Sequence, residues 1–248
     1  MERRPRTSAD ADLIMAHPPR LMVVMPCRNE VKATCFLPLA MMFTEAYTFW
    51  KKEHGADAMF VPLTIPRMHV TDARVYALET AFKAEVDYIM WVDDDMTPPA
   101  GTVEKLYRTM VKEGAALVSA LCYRRGEPYG PCAFTHDMKP DGSHNCWMER
   151  LPERIAEAYS VGFGCVLMDV EQARHVWDMA NGQAFLMTKG VGEDAYYCRL
   201  AKNLGQRILV DTSCVPGHVG EWIYDEKYFE SVLPNRPDLQ KNFVAAKT

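Results

Sequence analysis

Short, wholly apolar runs alternate with amphipathic stretches along most of this chain. Leu21-Met22-Val23-Val24-Met25 has the length and composition of a strand buried on both faces. It runs into Pro26-Cys27-Arg28-Asn29-Glu30, which places polar groups at the strand's carboxyl edge. A long helix is expected from about Thr34 to Lys52, with Gly55 in the turn after it. Ala58-Met59-Phe60-Val61-Pro62-Leu63 reads as a second strand. Pro62 has no N–H to give a neighbour and so points to a sheet edge. Thr71 or Asp72 is the expected cap of the next helix, which carries Val75, Leu78, Ala81 and Phe82 on one face. Arg74 then falls in the first turn, where a cation opposes the helix dipole. A ligand or a neighbouring acid would hold it there.

The most informative stretch is Tyr88-Ile89-Met90-Trp91-Val92-Asp93-Asp94-Asp95-Met96-Thr97-Pro98-Pro99. An apolar run leads directly into three carboxylates, and two prolines forbid its continuation as a central strand or regular helix. The acids therefore belong at the carboxyl end of a core strand, where ligands bind in open α/β sheets. Three adjacent anions repel one another unless something positive lies beside them. A hard divalent cation shared with substrate phosphates is the simplest compensation, and a solvated acidic turn is the plain alternative. A helix over Gly101 to Glu113 and a strand over Ala116 to Leu121 complete a β-α-β-α-β-α-β order, the signature of a mostly parallel sheet with helices on both faces.

The second half changes character. Tyr123 to Arg150 is rich in Pro, Gly, Cys, His and aromatics, and Asp141-Gly142 is a hairpin signal. Cys132, His136, His144 and Cys146 offer four possible zinc ligands, but their spacing fits no common zinc motif and a plain hairpin with polar tips is the preferred reading. Gly162 and Gly164 flank Phe163 and permit a sharp turn or a close backbone approach. They make no dinucleotide fingerprint, because a third glycine and a following helix start are missing. A helix over Glu171 to Met179 follows. Gly192-Glu193-Asp194 precedes a helix from Ala195 to Leu204 closed by Gly205, with its acids at the favoured end. Arg207-Ile208-Leu209-Val210 is the last strand expected, and Asp211 to Gly220 is read as a loop holding His218 between two glycines.

Composition narrows the class. Apolar residues are 48% and charged residues 25% of the 248, ordinary for a globular chain with a sizeable core. With 28 basic against 33 acidic residues, the net charge of -5 argues against a surface wholly devoted to nucleic acid. Cys27, Cys35, Cys122, Cys132, Cys146, Cys165, Cys198 and Cys214 form no Cys-x-x-Cys pair, and several lie in apolar runs. They read as reduced, mostly buried thiols of a cytoplasmic protein. Arg3, Arg4 and Arg6 are followed by no apolar segment of signal length. Between Lys32 and Lys51 only Glu45 is charged, yet Pro38 and several threonines make a buried amphipathic helix a better reading than a membrane span.

Taken in order, Pro26 to Glu30, Arg74, Asp93-Asp94-Asp95, Glu193-Asp194 and Gly217-His218 resemble the motifs of nucleotide-sugar-dependent glycosyltransferases of the GT-A fold, close to the large family-2 group. The resemblance covers about Leu21 to Gly220. Its strongest part is Asp93-Asp94-Asp95, similar to the family's Asp-x-Asp motif. Arg74 departs from the pattern, since Val75 stands where relatives often carry asparagine. The second strand lacks the acidic end that many relatives use for the donor base.

The resemblance implies a Rossmann-like, mixed but mostly parallel sheet flanked by helices. The expected organisation is an N-terminal arm over 1–20, one catalytic domain over 21–220 and a tail over 221–248 able to close on the site. Within the domain, 21–122 would bind the nucleotide sugar and 123–220 the acceptor. Mn²⁺ or Mg²⁺ would be held by Asp95 and His218, with Asp93 directly or through ribose and water, and would neutralise a diphosphate leaving group. Pro26, Arg28, Glu30, Arg74, Asp93 and Asp94 would line a UDP- or GDP-sugar. Asp194, with Glu193 second, would take the proton of an acceptor hydroxyl. By the same likeness an aspartate base gives inversion, while the late histidine ligand also occurs in retaining relatives, so both outcomes stay open.

The acceptor is equally open: a glycan, a lipid head, a protein side chain or a hydroxymethylated DNA base. Arg124, Arg125, Lys139, Arg150 and Arg154 would supply a basic face for DNA. A sugar-phosphate nucleotidyltransferase is the nearest alternative enzyme, but that group has a glycine-rich loop after its first strand and Pro26 to Glu30 contains no glycine. A non-catalytic nucleotide-sugar-binding module is the third reading.

Overall fold

The computed structural model describes residues 17–27, 30–127, 129–135 and 154–237. In chain order the longer strands are β1 (Leu21–Cys27), β2 (Phe60–Pro66), β3 (Tyr88–Val92), β5 (Leu117–Ala120), β7 (Ile155–Ala158), β9 (Cys165–Asp169) and β10 (Ile208–Asp211). Short strands are β4 (Met96–Thr97), β6 (Ala133–Phe134), β8 (Ser160–Val161), β11 (Gly217–Val219) and β12 (Ile223–Tyr224). The helices are α1 (Ala33–His54), α2 (Val70–Lys83), α3 (Thr102–Glu113), α4 (Val170–Met179), α5 (Glu193–Asn203) and α6 (Glu226–Val232).

Seven strands form the central sheet in the order β2-β1-β3-β9-β5-β10-β7. Five point one way, while β9 and β7 run against them. The all-apolar strands bury both faces by simple alternation. Met22, Val24, Ile89 and Trp91 face one core with Ala77 and Leu78 of α2, Ala173 of α4 and Tyr197 of α5. Leu21, Val23, Met90 and Val92 face the other with Leu39 and Trp50 of α1 and Leu106 of α3. Emptying either Trp50 or Trp91, both fully buried, would cost about 3–5 kcal/mol.

Several local expectations shift. The sheet is mixed and mostly parallel, as expected, and the strand that breaks the parallel order inside it is β9, antiparallel between β3 and β5. Its residues Cys165 to Met168 are fully buried, so the position satisfies an apolar strand as well as any parallel one. Strand β2 extends to Pro66, and Pro62 and Pro66 do lie on an edge strand. Helix α2 starts at Val70 behind His69, so Thr71 and Asp72 are not its cap and Arg74 falls in the second turn. Helix α5 starts at Glu193 behind Gly192, which puts both acids inside its first turn. The stretch Asp211 to Gly220 is not all loop, since β11 forms within it by pairing with β4 and β12.

Residues 221–237 pack onto the domain. Tyr224, Phe229 and Leu233 are buried, and Tyr129 stacks on Tyr224 with ring centres 5.7 Å apart. Of the described cysteines, all but Cys132 are buried. No helix among the described residues is long and apolar enough to cross a membrane.

Candidate active site

The carboxyl ends of β1, β2 and β3 share one edge of the sheet through their parallel register. Strand β9 enters from the opposite direction, so the glycine pair just before it arrives at the end of β3. There the Asp93 N–H donates to the Gly164 carbonyl at 3.0 Å. A Cβ on Gly164 would stand 3.7 Å from Asp93 Oδ2 and 3.4 Å from Met96 Sδ. The glycine lets the backbone press against the acid cluster without crowding it.

Arg74 lies beneath this cluster and is 2% exposed. Its Nη2 donates to Asp93 Oδ1 at 3.2 Å and to the Phe163 carbonyl at 3.4 Å. Its Nε faces Glu193 Oε1 at 3.8 Å. The guanidinium rests on the rings of Trp91 and Phe163, with centroids 5.0 and 5.4 Å away. Arg74 therefore does not line an open donor site as the sequence suggested. A side chain so deeply buried and committed to two acids orients Asp93 and Glu193 from below. Burial pushes the Asp93 carboxyl up, against the pull of Arg74 and with the push of Asp95.

Asp95 and His218 come together through two very short strands. His218 pairs with Met96 in the β11–β4 ladder, and the Val219 N–H donates to the Asp95 carbonyl at 2.8 Å. His218 Nε2 then stands 3.4 Å from Asp95 Oδ1. On the far side of the ring, Nδ1 is 2.8 Å from the Tyr123 carbonyl and so carries the proton given to it. Arg125 Nη1 closes on Asp95 Oδ2 at 2.6 Å. Burial works against a charged Asp95, but contact with His218 and the charges of Arg125 and Lys32 outweigh it, holding the carboxyl below its ordinary range.

Asp194 lies at the mouth of α5. Its Oδ1 accepts from the Ala195 N–H at 2.7 Å, and a Cβ on Gly192 would strike that oxygen at 2.8 Å. A Cβ on Gly162 would stand 3.6 Å from Oδ2. Two glycines thus give this carboxylate its room. Burial, then the Glu193 charge, push its pKa up to about 6.

The residues present fit a hard divalent cation. Asp95 Oδ1 is buried and makes no hydrogen bond, although an imidazole nitrogen faces it. A positive charge is called for between Asp95 Oδ1 and His218 Nε2, and a divalent cation ligated by both would supply it in place of a proton on Nε2. The Tyr123 carbonyl fixes the ring as outer partners of metal-bound histidines commonly do. Among the described residues no three His, Cys, Asp or Glu side chains converge as a ready-made cage. Two protein ligands suit an ion completed by phosphate oxygens and water.

Of the other expected residues, Pro26 is half-buried at the end of β1, Asp94 is half-exposed and Glu30 is exposed. Arg28 lies outside the described residues, as do His136, His144 and Cys146 of the zinc suggestion and Lys139 and Arg150 of the basic set. Arg125 is spent on Asp95, and Arg154 lies beside Lys105 and Lys112 of α3. Nothing among the described residues supports a joint DNA-facing patch. Two open grooves of about 380 and 400 Å³ flank α3, and neither includes a site carboxylate. Sequence reasoning missed three contributors: Arg125, the Tyr123 carbonyl and Lys32. Lys32 Nζ donates to the carbonyls of Val219 and Gly220 at 3.0 and 3.2 Å, pinning the turn that carries His218. No sequence signal marks these three, because only the β4–β11 pairing brings them together.

This sheet, with acids at the end of its third strand facing a late histidine, is the architecture of the GT-A class. A197 from STIV superposes with a TM-score of 0.54 at 21% identity, covering 81% of this chain and 86% of that one. GalNAc-T7, solved with UDP, GalNAc and Mn²⁺, superposes with a TM-score of 0.54 at 12% identity, covering 83% of this chain. The chain spans only 44% of that GalNAc-T7 chain. Residues 66–168, which include Arg74 and Asp93 to Asp95, match the family model of glycosyl transferase family 2. The fold is that of the GT-A class, and the segment that carries the acid cluster is similar to glycosyl transferase family 2. A search of curated proteins finds no match.

Proposed function

We propose that this chain is a metal-dependent glycosyltransferase that moves a sugar from a UDP- or GDP-linked donor to an acceptor hydroxyl. The observation that carries the reading is the facing pair Asp95 Oδ1 and His218 Nε2, 3.4 Å apart at the end of β3. The GalNAc-T7 structure holds UDP and Mn²⁺, which supports a uridine donor and Mn²⁺ as the first choices to test.

Asp95 and His218 would hold the ion, with Asp93 beside them on its Arg74 footing. Bound Mn²⁺ or Mg²⁺ supplies Lewis-acid neutralisation of the charge growing on the diphosphate. Pro26, Arg28, Glu30 and Asp94 are the nearest candidates for the nucleoside, at the ends of β1 and β3. In the transfer, the acceptor oxygen attacks the anomeric carbon while the bond from that carbon to the phosphate oxygen breaks. Asp194 takes the hydroxyl proton. A base with a pKa near 6 is charged at neutral pH yet strong enough to accept that proton. Glu193 is held by Arg74 and keeps the local field negative, so that Asp194 remains basic. Residues 221–237 are the candidate lid, with Trp222 exposed at the turn beside the site.

The direct test is a donor screen by thermal shift in Mn²⁺, with UDP and GDP compared. A ligand that binds only the folded chain raises Tm by linkage. UDP or GDP should do so with Mn²⁺ and lose most of the effect with a chelator. Failure of both nucleotides to shift Tm would refute the donor reading.

A further inference from the structure

Asp95 has two oxygens in opposite circumstances. Oδ1 is buried, faces His218 Nε2 and makes no hydrogen bond. Oδ2 is taken by Arg125 Nη1 at 2.6 Å. Asp95 is 14% exposed, while the arginine side chain is 47% exposed. The arginine therefore reaches in from solvent, and Asp95 holds one end of it.

We propose that Arg125 is a tethered stand-in for the divalent ion, making cation binding and diphosphate binding depend on one another. The proposal rests on the metal-site reading above. An ion on Oδ1 and a guanidinium on Oδ2 are like charges on a single carboxylate. They oppose each other across a carboxylate that is only 14% exposed, with solvent screening on the arginine side. Cation alone must therefore displace Arg125 or suffer its repulsion. The donor's diphosphate changes this balance, because it brings the negative charge that both cations need. It also offers the guanidinium a bidentate oxygen partner in exchange for Asp95.

The surroundings suit such an exchange. Arg125 sits in the turn of a small hairpin in which Tyr123 bridges Pro131 and the Arg124 N–H donates to the Gly130 carbonyl. That hairpin is fastened to the C-terminal segment by Tyr129 on Tyr224 and by Arg236 on Glu127 at 2.7 Å. The described residues at the hairpin's two ends are thus held, while the Arg125 side chain is 47% exposed and long enough to reach a second anion. The same hairpin supplies the Tyr123 carbonyl that orients His218, so cation ligand and cation substitute are carried together.

The test is a Mn²⁺ titration followed by the electron paramagnetic resonance signal of the free ion, without nucleotide and with UDP or GDP. It compares the unaltered chain with Arg125→Gln and Asp95→Asn, each first checked by its melting curve. The unaltered chain should bind Mn²⁺ weakly alone and on the order of tenfold more tightly with the matching nucleotide. Arg125→Gln should bind Mn²⁺ alone on the order of tenfold more tightly and lose most of the nucleotide's gain. Asp95→Asn should bind little under either condition. If Arg125→Gln binds no more tightly than the unaltered chain while Asp95→Asn loses binding, the stand-in is refuted and the metal site survives. If no chain binds Mn²⁺ with either nucleotide, the metal-site reading falls and takes this proposal with it.

Discussion

Arg74 Nη2 lies 3.2 Å from Asp93 Oδ1, and the same buried guanidinium faces Glu193. One side chain thereby couples the acid cluster after β3 to the first turn of α5. Removing it strands two carboxylates and opens a gap between Trp91 and Phe163. Arg74→Met should destabilise the fold by about 3 kcal/mol or more, read from urea unfolding. Arg74→Lys should recover only part, because an ammonium cannot span both acids and both rings. Unfolding midpoints within error of the unaltered chain would show that this pairing is incidental.

Asp194 carries the clearest pH prediction. Its pKa lies near 6, above the ordinary carboxylate value, and a general base works only when deprotonated. Transfer should therefore rise with pH through about 6 and level off above. Asp194→Asn should lower kcat by about 10²–10⁴-fold while leaving the Mn²⁺-dependent thermal shift intact. The sign for stability is opposite: a raised carboxyl favours the folded state when protonated, and this contribution is lost as pH climbs toward 6. A kcat/KM profile flat across this range would remove Asp194 from the mechanism.

Gly192 adds a geometric check on the same group. A methyl there would meet Asp194 Oδ1 at 2.8 Å. Gly192→Ala should slow transfer at unchanged donor affinity, since it displaces the proposed base and not the proposed cation ligands. Equal loss of both would mean the whole edge has moved.

Trp222 is 65% exposed at the turn between β11 and β12. If the tail closes over donor, acrylamide quenching of tryptophan fluorescence should fall on adding Mn²⁺ with UDP or GDP. Trp222→Phe should remove the part of that change carried by Trp222, to which the fully buried Trp50 and Trp91 add none. Unchanged quenching in saturating ligand would leave the segment a fixed wall.

The sequence was most legible where one strand decides everything. The apolar run into Asp93 placed the acids correctly, because an all-apolar strand must be buried and its first charged residues must lie at its end. Pro62 marked an edge strand for the same kind of local reason. Long-range pairing was not legible. Strands β4 and β11 have two and three residues, too few for any periodicity, yet they alone join His218 to Asp95. Arg74 was placed near the site, but its depth follows from the helix start at Val70, a matter of one turn. Arg125 read as part of a basic face, because nothing local shows which acid a surface arginine will meet. The antiparallel entry of β9 was equally hidden, since a fully buried run looks the same in either direction.

The central claim is that the Asp95–His218 pair serves the breaking of a sugar–diphosphate bond. It is tested most directly by incubating the chain with labelled UDP- and GDP-sugars in Mn²⁺ and identifying the released product. The account predicts free nucleoside diphosphate, none after chelation, and none from Asp95→Asn or His218→Ala chains that remain folded. Release of pyrophosphate instead, or equal turnover by the Asp95→Asn chain, would contradict it.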